Sequence, residues 1–174
     1  LTDRRQTAAG YWCLSMWVGS LCTLLFTLRP LGIPVVTIGL GNALAALGYA
    51  LMWAGFRAFD RRPIHLLVVL AGPLLWSAAY FGLRTVAEDV NNRIILTSLI
   101  ISGYSIWIGL DIWRGRLGER LPTRSIAAIF FMTHGVIYFL RVPMAVVSPA
   151  PMENGTAYSE WFANEINTSA PGKW

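Results

Sequence analysis

The sequence predicts an all-α protein, a polytopic bundle of transmembrane helices. The composition, the length of the apolar stretches and the positions of the arginines all point to this class. The chain is 55% hydrophobic and only 13% charged, whereas about a quarter of the residues in a globular domain are charged. A helix of about 20 apolar residues crosses the hydrocarbon core of a bilayer. Five stretches of 18 to 22 residues fit that length: 11–28, 35–56, 64–83, 94–113 and 125–142.

The basic residues lie mainly in alternate gaps between these stretches. Nine of the fourteen Lys and Arg residues precede the first stretch or lie in the second and fourth gaps. The other five lie on the opposite side, together with five acidic residues. By the positive-inside rule, the start of the chain and the second and fourth gaps are cytoplasmic. The basic charge therefore predicts topology in a lipid bilayer, and we expect no binding to nucleic acid.

The first three stretches contain signals for helix ends, packing and bending. The first two form a hairpin through residues 29–34, where two prolines and a glycine separate the helices. Small residues share one face of the second stretch, which predicts close packing against a neighbouring helix. These residues are Gly41, Ala45, Gly48 and Gly55. Pro73, near the middle of the third stretch, predicts a bend.

The last two stretches carry polar residues at helical spacing. Ser98, Ser102 and Ser105 share one face of the fourth, where hydroxyls bond a carbonyl or a neighbouring helix. Near its cytoplasmic end we expect Asp111 to pair with Arg114 on the next turn.

In the fifth stretch, His134, Tyr138 and Arg141 have offsets of 0, +4 and +7, so they lie on one face that rises towards the outer surface. Polar residues inside a membrane usually face the bundle interior or a watery cavity, which also draws attention to Asn42. With Arg93 beside the outer loop, these five residues predict an outward-facing pocket for an anionic or carboxylate-bearing small molecule. The alternative is structural: Arg141 snorkels to the interface and His134 bonds a backbone carbonyl.

The chain carries no signature of a soluble enzyme. Motifs of nucleotide-binding loops, zinc proteases and serine hydrolases are missing from the sequence, and two histidines cannot build a histidine-rich metal site. We therefore expect no catalytic residue, no metal and no cofactor. A receptor, a transporter or channel, and an integral-membrane enzyme are the three candidate classes. A transporter would need paired intramembrane charges or broken helices, and an enzyme would need clustered His, Asp or Glu.

The sequence predicts two regions. Residues 1–147 form the helical membrane domain, and residues 148–174 form an extracytoplasmic loop. A short interfacial helix in this loop would carry Tyr158, Trp161, Phe162 and Ile166. Because five spans leave the two ends on opposite sides and the chain starts at Leu1, we expect it to be part of a longer protein.

Several strings recur in one class of bacterial membrane proteins. They are LGNAL at 40–44, Gly48-Tyr49, MWAGFRAFDRRP at 52–63, Asn92-Arg93, WRGR at 113–116 and the spacing of His134, Tyr138 and Arg141, with DRRQ at 3–6. With these strings the chain resembles the N-terminal membrane sensor segment that precedes a GGDEF domain.

The resemblance implies a sensory input module in the bacterial inner membrane. Such segments have about seven spans and end in a diguanylate cyclase domain, which makes cyclic di-GMP from two GTP and pairs as a homodimer. The present chain lacks the GG[DE]EF motif, so this segment would regulate the cyclase without catalysing its reaction. The signal sensed by these segments is generally undefined.

Overall fold

The described chain is built from helices packed side by side. A computed structural model describes residues 4–115 and 122–148, and in these ranges it contains helices and no strand. A 3₁₀ turn, Arg29–Leu31, follows the first helix, and a π-helical segment, Val35–Leu40, leads into the second. The α-helices are α1 (Arg4–Thr27), α2 (Gly41–Phe59), α3 (Leu66–Gly82), α4 (Arg84–Glu88), α5 (Val90–Gly115) and α6 (Pro122–Val147). The predicted interfacial helix in 148–174 lies outside the described residues.

The all-helical prediction is confirmed for the described residues, but the predicted count of five spans is not. In the part of the chain that the structure describes, four helices are long and apolar enough to cross a bilayer: Gln6–Thr27, Val35–Phe59, Val90–Gly115 and Pro122–Val147. The third predicted span is the shorter apolar helix α3, which has 17 residues. Its start is delayed because Arg61 has a φ of 60° and His65 is extended. Pro63 lies between them, and its carbonyl accepts a hydrogen bond from Arg57 Nε at 2.8 Å.

Helices α2 and α5 run side by side in the same direction. Near their starts, Thr97 Oγ1 donates to Asn42 Oδ1 at 3.2 Å. Near their ends, Trp53 Nε1 donates to Asp111 Oδ2 at 3.1 Å. These two contacts define an upper end of the bundle, next to Asn42, and a lower end, next to Asp111. Helix α1 packs antiparallel on α2, and α6 packs antiparallel on α5.

Large apolar side chains fill the core of the bundle. Trp53, Trp76 and Ile108 are fully buried there. The Trp76 indole Nε1 donates to the Gly39 carbonyl at 2.8 Å, which ties α3 to the π-helical segment before α2. The hydrogen bond satisfies the buried indole N–H, and burial removes the apolar ring from water. This contact holds α3 against one side of α2, and α1 packs on another side of α2.

The hydroxyl of Tyr104 is inserted into the backbone of α3. It accepts a hydrogen bond from the Gly72 N–H at 3.1 Å and donates to the Val68 carbonyl at 2.5 Å, two groups that would otherwise bond each other. The next residue, Pro73, removes another helical hydrogen bond. Gly72 leaves room for the ring, since a Cβ there would overlap Tyr104. A side chain from α5 therefore satisfies the opened turn of α3.

A buried ion cluster joins the helices at the lower end. Asp111 is 3% exposed, and its carboxylate accepts hydrogen bonds from Arg57 Nη1 at 3.2 Å and Arg62 Nη1 at 2.9 Å. The expected local pair with Arg114 was wrong: among the described residues, the ion pairs of this carboxylate are with arginines of α2 and the loop after it. Helix α5 places the carboxylate towards α2, where the buried indole N–H also meets it.

A second ion pair at the lower end joins α2 to α6. It links Asp60, directly after α2, with Arg124 in the first turn of α6. Both side chains are largely buried, and the Arg124 guanidinium also lies 5.8 Å from the centre of the Phe59 ring. The lower ends of α2, α5 and α6 are therefore connected through charged groups that are mostly buried.

Candidate ligand cavity

A large cavity lies between the α1–α2 pair and the α5–α6 pair. Its volume is about 1190 Å³, which exceeds the range of about 300–1,000 Å³ for small-molecule sites. All five residues of the predicted pocket line it: Asn42, Arg93, His134, Tyr138 and Arg141. The structure thus brings together residues from three helices that the sequence could relate only within α6.

The cavity forms because small side chains occupy the upper halves of α2 and α5. Ala45, Gly48 and Ser98 line it, whereas aromatic rings fill the lower half. There the centre of the Trp53 ring lies 5.3 Å from that of Trp107. Aromatic rings therefore fill the bundle below, and above them the small side chains leave a space between the α1–α2 pair and the α5–α6 pair.

Three arginines stand at the upper rim of the cavity. Arg29 follows α1, Arg93 lies in the first turn of α5, and Arg141 lies near the upper end of α6. Arg141 stacks 5.2 Å from the centre of the Tyr138 ring, and Arg29 lies 4.8 Å from that of Phe26. Within 4–115 and 122–148, none of the three forms an ion pair. The rim therefore carries three arginines without an ion-pair partner among the described residues.

Arg29 was missed by the sequence analysis. It was counted there among the outer-side basic residues and used only for topology. The available signal was its position, since it is the one charged residue of the loop 29–34. A single-helix periodicity cannot show that this loop borders the same cavity as Arg141, because that depends on how α1 and α6 are placed around α2 and α5.

A polar contact between α2 and α5 lies below the rim. The Asn42 side chain donates from Nδ2 to the Ile38 carbonyl at 2.8 Å and accepts from Thr97 at its Oδ1. Its amide is thus held by the protein itself. Ser98, the next residue of α5, also lines the cavity, and its buried hydroxyl has no hydrogen-bond partner among the described residues.

His134 lies halfway down the cavity, between α2 and α5. Its Nε2 is 3.2 Å from the Tyr49 hydroxyl, and its Nδ1 is 3.1 Å from Ser105 Oγ. In a neutral ring one nitrogen donates and the other accepts. The Tyr138 ring centre lies 4.7 Å away. His134 therefore bonds two side-chain hydroxyls, and the expected backbone carbonyl is not among the partners found in the described part of the chain.

The side chains around His134 define what the cavity can offer a ligand. Ser105 is fully buried beside His134, so its hydroxyl cannot reach a substrate as a nucleophile. No cluster of metal-ligating side chains occurs in 4–115 and 122–148. A ligand in the cavity would meet guanidinium groups at the rim and hydroxyl and apolar groups along the wall.

The small residues of α2 lie mainly against α1. The Phe26 ring occupies the space beside Gly41, and the Trp12 indole occupies the space beside Gly55, where a Cβ would overlap each ring. Ser15 Oγ donates to the Gly48 carbonyl at 2.8 Å. Ala45 lines the cavity. The stripe thus forms the α1–α2 contact and, at Ala45 and Gly48, part of the cavity wall.

In comparisons with known proteins, the chain matches no family model, no curated protein and no solved structure.

Proposed function

We propose that this chain is the membrane-embedded input module of a bacterial signalling protein, which binds an anionic small molecule in the cavity. The observation that supports this most strongly is the set of three arginines from three different parts of the chain around one opening. Guanidinium groups bind carboxylate and phosphate in a bidentate geometry. In our proposal they capture the ligand from the outer side of the membrane, and His134 and Tyr138 contact it below.

In this proposal the segment crosses the bacterial inner membrane five times, with its lower end in the cytoplasm. Because α2 and α5 run in the same direction, the chain between them must return from the lower to the upper end, and α3 is the long helix in that interval. Its 17 residues lie at the short end of the range for a spanning helix. Reporter fusions at Arg61 are expected to be cytoplasmic and those at Arg84 external. The reverse result would contradict this orientation.

The signal would pass through helix packing. A ligand can shift a bundle between two arrangements only if it binds one of them more tightly. Resemblance to the segments before GGDEF domains supports a diguanylate cyclase as the output, with further spans to about seven, and dimerisation through the output domains. The coding sequence beyond Trp174 tests this directly: a further span and a GGDEF motif are expected, whereas more hairpins with buried charges favour transport.

A cellular experiment tests the cavity as the input. Cyclic di-GMP is measured in cells that make the complete protein from its own gene, as wild type, R141Q or R84Q. Each variant loses one upper-side arginine, but only Arg141 lines the cavity, whereas Arg84 is exposed and pairs with Glu88. We expect R141Q to change the cyclic di-GMP level at equal protein abundance and R84Q to leave it unchanged. Equal levels in all three strains would contradict the proposal.

The alternative function is a transporter or channel. The observation in its favour is that the cavity extends from the upper rim to His134, well inside the bundle. Uptake of benzoate into proteoliposomes distinguishes the two functions. A sensor is expected to leave the flux at the level of empty vesicles, and protein-dependent uptake would favour the transporter.

A further inference from the structure

We propose that the occupant of this cavity is an anionic amphiphile: one charged head group at the arginine rim with an alkyl chain extending down between the helices. The proposal rests on the proposed ligand-binding role and names the chemical class of the ligand. It follows from the shape of the cavity, from the way its wall satisfies its own hydrogen bonds, and from the separation of charge and apolar surface along its depth.

The cavity is too deep for a small carboxylate alone. On α6 its lining runs from Arg141 down to Phe130, eleven residues along the helix, which corresponds to about 16 Å at 1.5 Å per residue. That is roughly half of the hydrocarbon thickness of about 30 Å. A head group bound at the rim leaves the lower part of this depth to another portion of the ligand.

The lower wall is apolar or already satisfied. Apolar side chains of all four helices line it, namely Met16, Met52, Ile101, Phe130 and Phe131. In the lower part of the wall the Ser15 hydroxyl donates to Gly48, and nearer the rim Thr23 donates to Gly19 and Thr37 to Ile33. Ser98, also nearer the rim, is the lining hydroxyl without a partner among the described residues. A hydroxyl that already donates to a carbonyl does not require a polar ligand. An alkyl chain can therefore lie here without leaving most of these groups unpaired.

The rim suits a single anionic head. Arg29, Arg93 and Arg141 have no ion-pair partner among the described residues, and each guanidinium offers several donors to carboxylate, sulfate or phosphate oxygens. A chain that ends in a cation would meet repulsion at the same place. The arginine rim thus favours an anionic head group, and the apolar depth of the cavity favours an alkyl chain.

Binding to the purified protein in a neutral maltoside detergent tests the proposal. The probes are sodium alkyl carboxylates of 6 to 12 carbons, with alkyltrimethylammonium ions of equal chain length as controls for partition into micelles. Affinity for the carboxylates, referred to free aqueous concentration, is expected to rise about fourfold per added methylene, the equivalent of about 0.8 kcal/mol. The cations are expected to show no saturable binding.

Matched variants locate the head and the chain. R29Q or R141Q is expected to weaken dodecanoate binding about tenfold through loss of charged hydrogen bonds, and R84Q to leave it unchanged. Gly19 lies on the cavity face of α1, and a Cβ there meets nothing within 4 Å. Gly19→Leu should therefore narrow the cavity below the rim and weaken dodecanoate about tenfold while sparing hexanoate. Gly10→Leu, equally unobstructed on the same helix but outside the cavity, is the control.

The possible outcomes distinguish a failure of the amphiphile proposal from a failure of the proposed ligand-binding function. Equal affinity for hexanoate and dodecanoate would overturn the amphiphile and leave a small-anion receptor. Absence of binding by every carboxylate would overturn both. Competition between dodecanoate and phosphatidylglycerol identifies the source of the shared chemistry: displacement by the lipid indicates a membrane lipid, and its failure indicates a free single-chain amphiphile.

Discussion

Replacing Asp111 by Asn is the sharpest test of what holds the lower end together. The carboxylate accepts three hydrogen bonds, from Trp53 Nε1, Arg57 Nη1 and Arg62 Nη1, at distances of 2.9 to 3.2 Å. Asparagine keeps the size of the side chain but loses its charge and one acceptor oxygen. Two guanidiniums then face a neutral amide, and the Arg57 side chain is only 14% exposed.

The expected loss is about 3 kcal/mol in the free energy of unfolding. Removing one partner of a buried ion pair costs about 3–5 kcal/mol, because the other charge stays buried without compensation. The lower end of that range applies here, since the Arg62 side chain is 30% exposed and water can hydrate it. Arg57 also keeps its position 5.0 Å from the centre of the Trp53 ring, which retains part of its electrostatic stabilisation.

Reversible unfolding in mixed micelles, followed by circular dichroism, measures the effect. The matched control is E88Q, which breaks the pair with Arg84 at the upper end, where the side chains are 91% and 67% exposed. That variant should lose at most about 0.5 kcal/mol. The double variant R57Q/D111N should be more stable than the sum of the single losses predicts. A D111N variant as stable as E88Q, or strict additivity with R57Q, would refute the reasoning.

Two further changes test helix contacts, with the free energy of unfolding as the measurement. Y104F should cost about 2 kcal/mol, because it removes the hydroxyl inserted into the backbone of α3. The control Y80F changes another buried tyrosine whose hydroxyl has no bond among the described residues, and an equal loss there would contradict the proposed cause. Gly55→Leu should cost about 2 kcal/mol by displacing the Trp12 indole. Gly10→Leu should be nearly neutral, and comparable losses at both glycines would contradict the packing argument.

The long helices could be predicted from the sequence, because a segment that crosses a bilayer must be both apolar and helical over about 20 residues. The residues at which these helices begin and end could not be predicted. The fourth stretch was predicted to run over 94–113, whereas α5 extends over Val90–Gly115. Hydropathy reports where water is excluded, while backbone hydrogen bonds continue through polar residues such as Asn92. The third stretch failed in the opposite direction: it was predicted to begin at Ile64, but the extended backbone at His65 keeps both residues out of α3.

Side-chain partners between helices were beyond the sequence for a different reason. Spacing within one helix relates His134 to Tyr138 and Arg141, since the period of the helix fixes their common face. The partner of Asp111 depends on which helix lies opposite, and the local choice of Arg114 ignored the buried N–H and guanidinium groups of α2. The pairing was visible only once α2 and α5 were placed in the same direction.

The same contacts indicate which helices would respond to a ligand. Helices α2 and α5 are joined by hydrogen bonds at both ends, whereas α1 packs mainly on α2 and α6 mainly on α5. A head group shared by Arg29 and Arg141 would draw the upper ends of α1 and α6 towards each other across the cavity. Arg124 joins the lower end of α6 to Asp60. A tilt of α6 would therefore change the geometry of that ion pair. In the proposed mechanism, α6 is therefore the element that relates the occupancy of the cavity to the cytoplasmic end.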